Sequence, residues 1–232
     1  MRRFSEKQIQ RVIGKYNLVD NKWPLVDGVE VELVEVADLY ELLDRMIEQE
    51  GRMVRVERFP YWAEIWPASL ALAKWMCSQK LPPPRGWTRE LGCGIGLVGV
   101  ALAKLGWKVE ATDYVEDALA FAAHNAQKNR VADRHRVSYL DWSNPVGKAC
   151  ECLVASDVVY EKKNHVYLNR VLRTLLEPGG RFYLSDPKRR PAERFVAMLL
   201  KQRYAHEVET VNQTLGTVEY QVDIHVFTKG KA

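Results

Sequence analysis

The sequence predicts an α/β fold: a doubly wound sheet, mostly parallel, with helices on both faces and an antiparallel hairpin closing it. Three observations carry this. From Gly86 onward, strand-like and helix-like patterns alternate with short connections, as in a parallel sheet covered on both sides. Gly92, Gly94, Gly96 and Gly99 crowd the junction between the first such strand and the first such helix. The chain then closes on two strand patterns in succession from about His206.

Each element has its own signal. WTRELGC and KVEATD read as strands, with LVGVALAKLG between them as a helix of spaced apolar residues. EDALAFAAHNAQKN is an alanine-rich helix with Leu119, Ala122, Ala123 and Ala126 on one side. RVSYLDW and CECLVASDV are the next two strands. HVYLNRVLRTLL is a helix stopped by Glu177-Pro178-Gly179-Gly180. RFYLSD is a strand, and Pro191 suits the first turn of the helix AERFVAMLLKQRY. The last strand is YQVDIHVFT.

The first 85 residues differ. SEKQIQRVIGKY and ADLYELLDRMIEQE read as helices, VDGVEVELVEV as strand around a turn, and PYWAEIWPASLALAKWM as a Trp-rich turn leading into a helix. KLPPPRG is a stiff connector into the first core strand. The expected organisation is an extension over residues 1–58 and a core over 59–232.

At 232 residues, the chain suits one domain with a large core. Its net charge of +4 does not demand a nucleic-acid partner. No segment approaches the ~20 apolar residues of a membrane span, and the N-terminus has no signal-peptide run. Cys77, Cys93, Cys150 and Cys152 form no CxxC pair and no metal-ligand spacing with the histidines. These features predict a reduced cytoplasmic protein, a monomer, with no membrane partner and no metal.

The glycine loop has two registers. Gly94, Gly96 and Gly99 spell GxGxxG, the dinucleotide fingerprint, whereas from Glu90 the same letters spell ExGxGxG. Asp113 ends the next strand where a ribose partner belongs, but NAD and S-adenosylmethionine (SAM) both carry that ribose. Glu90 decides: an acidic side chain at that depth suits the α-amino group of SAM, directly or through water. Asp141 and Trp142 suit an adenine, by hydrogen bond and by ring packing. The helix–Pro–Gly–Gly–strand form of LLEPGGRFYLSD agrees.

These residues, with Trp66-Pro67-Ala68 in EIWPASLALAKWM, Asn125 in HNAQKN and Asp157 to Tyr160 in ASDVVY, resemble a class I, seven-β-strand SAM-dependent methyltransferase. More narrowly they resemble methyltransferase family 16, the protein-lysine methyltransferase branch. The resemblance spans most of residues 61 to 186 and implies a Rossmann-like seven-stranded sheet. It implies cofactor contacts from Trp66, Glu90, Gly92, Cys93, Gly94, Asp113, Tyr114, Asp141, Trp142 and Ser156. The glycines are expected to be small because a Cβ would strike the ligand. Structural alternatives stand beside these: Trp66 as a core anchor, Asp113 as a helix cap.

Asp157-Val158-Val159-Tyr160 follows the fourth core strand at the end where open α/β sheets bind ligands. By the resemblance, Asp157 and Tyr160 face the methyl acceptor. The extension over residues 1–58 is the unassigned stretch able to cover the acceptor entrance, and its removal is expected to spare SAM binding. The other reading makes Asp157 a turn cap. The implied function is methyl transfer to nitrogen, a protein lysine first. The alternatives are a small amine such as a nicotinamide-like acceptor, or a SAM-binding module without turnover. Nucleic acid is not the expected partner, for the motif lacks the prolines of the D/N-P-P-Y loop.

Overall fold

The computed structural model describes residues 4–50 and 60–231. Helix α1 (Glu6–Ile13) starts at a capping box between Ser5 and Gln8. Strands β1 (Leu18–Val26) and β2 (Val29–Val36) form an antiparallel hairpin, with Gly28 at φ +78° in its two-residue turn. Helix α2 (Leu39–Glu50) follows. The hairpin begins well before the VDG turn that marks it in the sequence.

A 3-10 turn over Tyr61–Ala63 leads to α3 (Pro67–Ser78), with Pro67 in its first turn. Then come β3 (Trp87–Leu91), α4 (Leu97–Lys104), β4 (Lys108–Asp113), α5 (Glu116–Lys128), β5 (His135–Tyr139) and β6 (Cys150–Ser156). The chain ends with α6 (Lys162–Leu175), β7 (Leu176–Asp186), α7 (Arg190–Lys201), β8 (Ala205–Leu215) and β9 (Val218–Thr228). The core sheet has seven strands in the order β5-β4-β3-β6-β7-β9-β8. β5 to β7 run parallel, and β9 is antiparallel to both β7 and β8. From β3 the chain winds outward to β5, then returns to lay β6 on the other side. This reversal puts a crevice at the C-terminal ends of β3 and β6.

Two details differ from the sequence reading. Glu177-Pro178-Gly179-Gly180 lies inside β7, which begins directly where α6 stops. The irregularity it introduces is a register shift against Cys150 and Cys152 of β6. Asp141 and Trp142 lie beyond the end of β5, in a turn where the Asp141 side chain accepts from the Ser143 amide at 2.7 Å.

The core divides across the sheet. One layer combines α3, α4 and α5 with the hairpin; the other packs α6 and α7 against Leu153, Phe182 and Phe227. Every residue of α4 from Leu97 to Ala103 is buried, so this helix is apolar on all sides. The sheet covers one side and the hairpin covers the other. Ile9, Ile13, Val31 and Leu33, all at most 3% exposed, belong to the same cluster as Leu102 and Phe121. Asn125 ties the pieces together: its Oδ1 accepts from Val34 N–H at 2.8 Å and its Nδ2 donates to Ile95 O at 2.9 Å. The described part of the N-terminal extension thus shares the core, and residues 51–59 fall outside the described residues. No helix among the described residues is long and apolar enough to cross a membrane.

Candidate active site

The crevice is a cavity of about 770 Å³, in the size range of ligand pockets. Its described lining begins at Tyr61, with none from residues 4–50. All twelve candidate residues from the sequence line it: Trp66, Glu90, Gly92, Cys93, Gly94, Asp113, Tyr114, Asp141, Trp142, Ser156, Asp157 and Tyr160.

The loop after β3 is shaped by backbone demands. Gly92, Gly94 and Gly96 sit at φ +67°, +51° and +94°, where an L side chain is strained. The protein itself also excludes a Cβ. On Gly92 it would lie 3.2 Å from Val158 and 3.5 Å from the Trp142 ring; on Gly94, 2.9 Å from the Trp62 carbonyl. Gly99, the third glycine of GxGxxG, has a different reason. A Cβ there would lie 2.4 Å from the Glu90 carboxylate and 3.0 Å from His135 Nε2. Spacing alone could not separate these reasons from room for a ligand.

Two carboxylates form the floor. Glu90, 3% exposed, has one oxygen without a hydrogen-bond partner. Burial and the neighbouring Asp113 charge push it up to about 8, against the opposing Gly99 amide. Asp113 accepts from Gly94 N–H at 3.1 Å and Val115 N–H at 3.0 Å, so it braces the loop and caps the turn into α5. Burial raises it to about 6 despite those bonds. Neither acid is ion-paired among the described residues. Cys93 is buried beside Ala111 and Leu119, its thiol pushed up by burial. Tyr114 and Asp141 are exposed at the rim, while Trp142 and Ser156 are half-buried.

The other end is built from side chains. Asp157 adopts φ +53°, an uncommon conformation for a residue with a Cβ. Its valine neighbours are core: Val158 and Val159 pack in the α6–α7 layer, and the Val159 carbonyl meets His165 Nε2 at 3.1 Å. Asp157, 8% exposed, accepts from Arg189 Nη2 at 2.9 Å through Oδ2, while Oδ1 has no partner. Burial raises its pKa to about 6; Arg189 opposes this and Asp186 adds to it. The Tyr160 ring lies 5.7 Å from Tyr61, which in turn lies 5.9 Å from Trp66. Trp66 Nε1 donates to the Tyr61 carbonyl at 2.9 Å, fixing this corner. Tyr61 and Arg189 were not singled out in the sequence. No motif contains Arg189, and Tyr61 sits unmarked before the Trp-Pro pair.

A family described as lysine methyltransferase matches residues 61–202. This chain belongs to the lysine methyltransferase family. It is 31% identical to EEF1A lysine methyltransferase 3 of Mus musculus over 63% of this chain, and 30% identical to protein N-lysine methyltransferase METTL21A of Danio rerio over 71%. The matched stretch spans 65% of the mouse protein, just under two thirds of its length, and 75% of the zebrafish protein. Magnesium protoporphyrin IX methyltransferase from Synechocystis PCC 6803, solved with bound SAM, shares the fold at TM-score 0.55 and 14% identity. That likeness covers 82% of this chain and 97% of the other.

A lysine methyltransferase of this class uses SAM, and the cavity fits it. SAM would bring positive charge to a floor that holds two buried acids with no ion pair among the described residues. The same floor would repel a dinucleotide's pyrophosphate.

Proposed function

We propose that this chain transfers methyl from SAM to the side-chain amine of a protein lysine. The supporting observation is the buried Asp157 carboxylate, with one unpartnered oxygen, on the wall of the same cavity as Glu90 and Asp113. Glu90 would receive the amine of SAM, directly or through water, and Asp113 the ribose hydroxyls. Backbone at Gly92, Cys93 and Gly94 would run beside the methionine and ribose. Tyr114, Asp141 and Trp142 would border the adenine, with Trp66 and Ser156 near the sulfur.

When bound, SAM supplies a methyl on cationic sulfur, which the acceptor nitrogen takes with its lone pair as the carbon–sulfur pair returns to sulfur. The protein's task is then alignment at about 3 Å and removal of water. A lysine with pKa ~10.4 is neutral in about one molecule in a thousand at pH 7.4, a handicap of roughly 4 kcal/mol. The wall of Tyr61, Trp66 and Tyr160 would reduce that handicap by desolvation. Asp157 Oδ1 accepts a hydrogen of the neutral amine and so points its lone pair; Tyr160 would bound the same space. Asp157 is assigned orientation, not proton removal, because its charge favours the ammonium form.

Labelled SAM incubated with the enzyme and a soluble protein extract tests this. Label recovered as methyl-lysine after acid hydrolysis of the protein fraction is the expected result. Label confined to small molecules in the filtrate would transfer the reading to a small amine. No transfer, with SAM still bound, would leave a binding module.

A further inference from the structure

Arg189 stands at the corner between β7 and α7, the last residue before the helix. Its amide donates to Asp186 Oδ1 at 2.6 Å, and its Nη2 to Asp157 Oδ2 at 2.9 Å. The Asp157 amide in turn donates to the Ser185 carbonyl at 2.9 Å. The ends of β6 and β7 are thereby stapled, and the staple decides which oxygen of Asp157 stays open. The guanidinium also lies 5.8 Å from the centre of the Tyr160 ring, at the cavity wall.

This contact solves a problem that an orienting carboxylate creates. An opposite charge within about 4–6 Å of an ionisable group moves its pKa by about 1–3 units toward the charged form. A bare Asp157 would therefore hold an acceptor amine as ammonium, which has no lone pair to attack with. Arginine stays charged throughout the working range and offsets that field from the far oxygen. The neighbouring groups do not supply the offset. Asp186, from the end of β7, is acidic like Asp157, and so is Glu161 beside Tyr160. Tyr61 and Tyr114 face Tyr160, whose hydroxyl burial pushes to about 12, so it stays neutral. Lys163, which also lines the cavity, is engaged with Glu161 at 3.0 Å, and Glu64 in the same lining is another acid.

We propose, resting on the lysine reading above, that Arg189 is a positioning residue for methyl transfer. It clamps Asp157 by one oxygen and offsets its charge, so the acceptor amine is oriented without being held protonated.

The test is the pH dependence of methyl-lysine formation, at saturating SAM, in the full chain and its Arg189→Gln and Arg189→Lys variants. In the wild type the rate climbs with pH as the amine loses its proton. Arg189→Gln keeps a hydrogen-bond donor but loses the charge. Its midpoint should rise by about one unit, giving about a tenfold loss at pH values below the midpoint that recovers above it. Arg189→Lys should keep the wild-type midpoint. The double variant Asp157→Asn with Arg189→Gln should return the midpoint to the wild-type value at a lower plateau, because the field and its offset are both gone. SAM affinity by calorimetry should not change. An Arg189→Gln rate lowered equally at every pH, with an unmoved midpoint, would overturn the inference alone. No methyl-lysine from the wild type at any pH would overturn the lysine reading and this inference with it.

Discussion

The two ends of the cavity are built by different means. At the proposed cofactor end, Gly92, Gly94 and Gly96 turn the chain at positive φ, and Asp113 bonds two backbone amides. What matters there is mostly the path of the main chain. At the proposed acceptor end, side chains from three distant segments meet: Tyr61 and Trp66 before α3, Asp157 and Tyr160 after β6, and Arg189 before α7. One buried oxygen is left open there. Local demands build the first end, and tertiary assembly builds the second.

The largest test of this contrast is removal of residues 1–36. The sequence alone places residues 1–58 over the acceptor entrance. The described hairpin of that segment covers α4 and bonds through Val34 to Asn125, which also bonds Ile95 in the glycine loop. Ile9, Ile13, Val31 and Leu33 are fully buried, and their removal withdraws the roughly 6–12 kcal/mol that burying four such side chains contributes, at about 1.5–3 each. A typical domain has about 5–15 kcal/mol in total. The truncated chain should lose its cooperative thermal transition and, with it, SAM binding. A truncated protein that melts cooperatively and binds SAM like the full chain would show that the hairpin is separable after all.

Asp113→Ala sharpens the cofactor side. It removes an acceptor from two amides and, in the proposed role, from the ribose hydroxyls. SAM affinity should fall by about 1.5–3 kcal/mol, roughly 10- to 150-fold, as for charge-assisted hydrogen bonds. Calorimetry and a melting curve separate the two contributions. A lower melting temperature with unchanged affinity would leave Asp113 as a brace and cap only.

The same contrast explains what could be read in advance. Strand and helix alternation gave the sheet because burial on two faces imposes a period, and the glycine loop stood out because positive φ selects glycine. The reason for each glycine was not legible. Gly99 makes room for Glu90, and Gly94 for the Trp62 carbonyl, which are contacts across the fold. In DVVY the resemblance singles out Asp157 and Tyr160, and both lie on the cavity wall; Val159 is core, while Val158 packs in the core and also lines the cavity. Arg189 carried no signal, because its pairing with Asp157 spans 32 residues and depends on where β7 ends. The coverage of α4 was half legible: a helix apolar on every side announces a partner without naming it.

Asp157→Ala is the smallest expected effect and the one that divides the two ends most cleanly. The substitution removes the open oxygen and the partner of Arg189 without touching Glu90, Asp113 or the glycine loop. It also leaves φ +53° to an alanine, a strain that the native aspartate already bears. If the acceptor end is functionally independent of the cofactor end, SAM affinity should stay within about twofold while turnover falls at least about tenfold. That tenfold corresponds to about 1.4 kcal/mol of lost transition-state stabilisation. Single-turnover transfer to the identified acceptor, set beside calorimetry with SAM, measures both quantities on one preparation. Wild-type turnover would make the Asp157–Arg189 pair a staple of the β6–β7 corner only. A parallel loss of SAM affinity would mean that the ends are coupled through Val158, which packs close to Gly92.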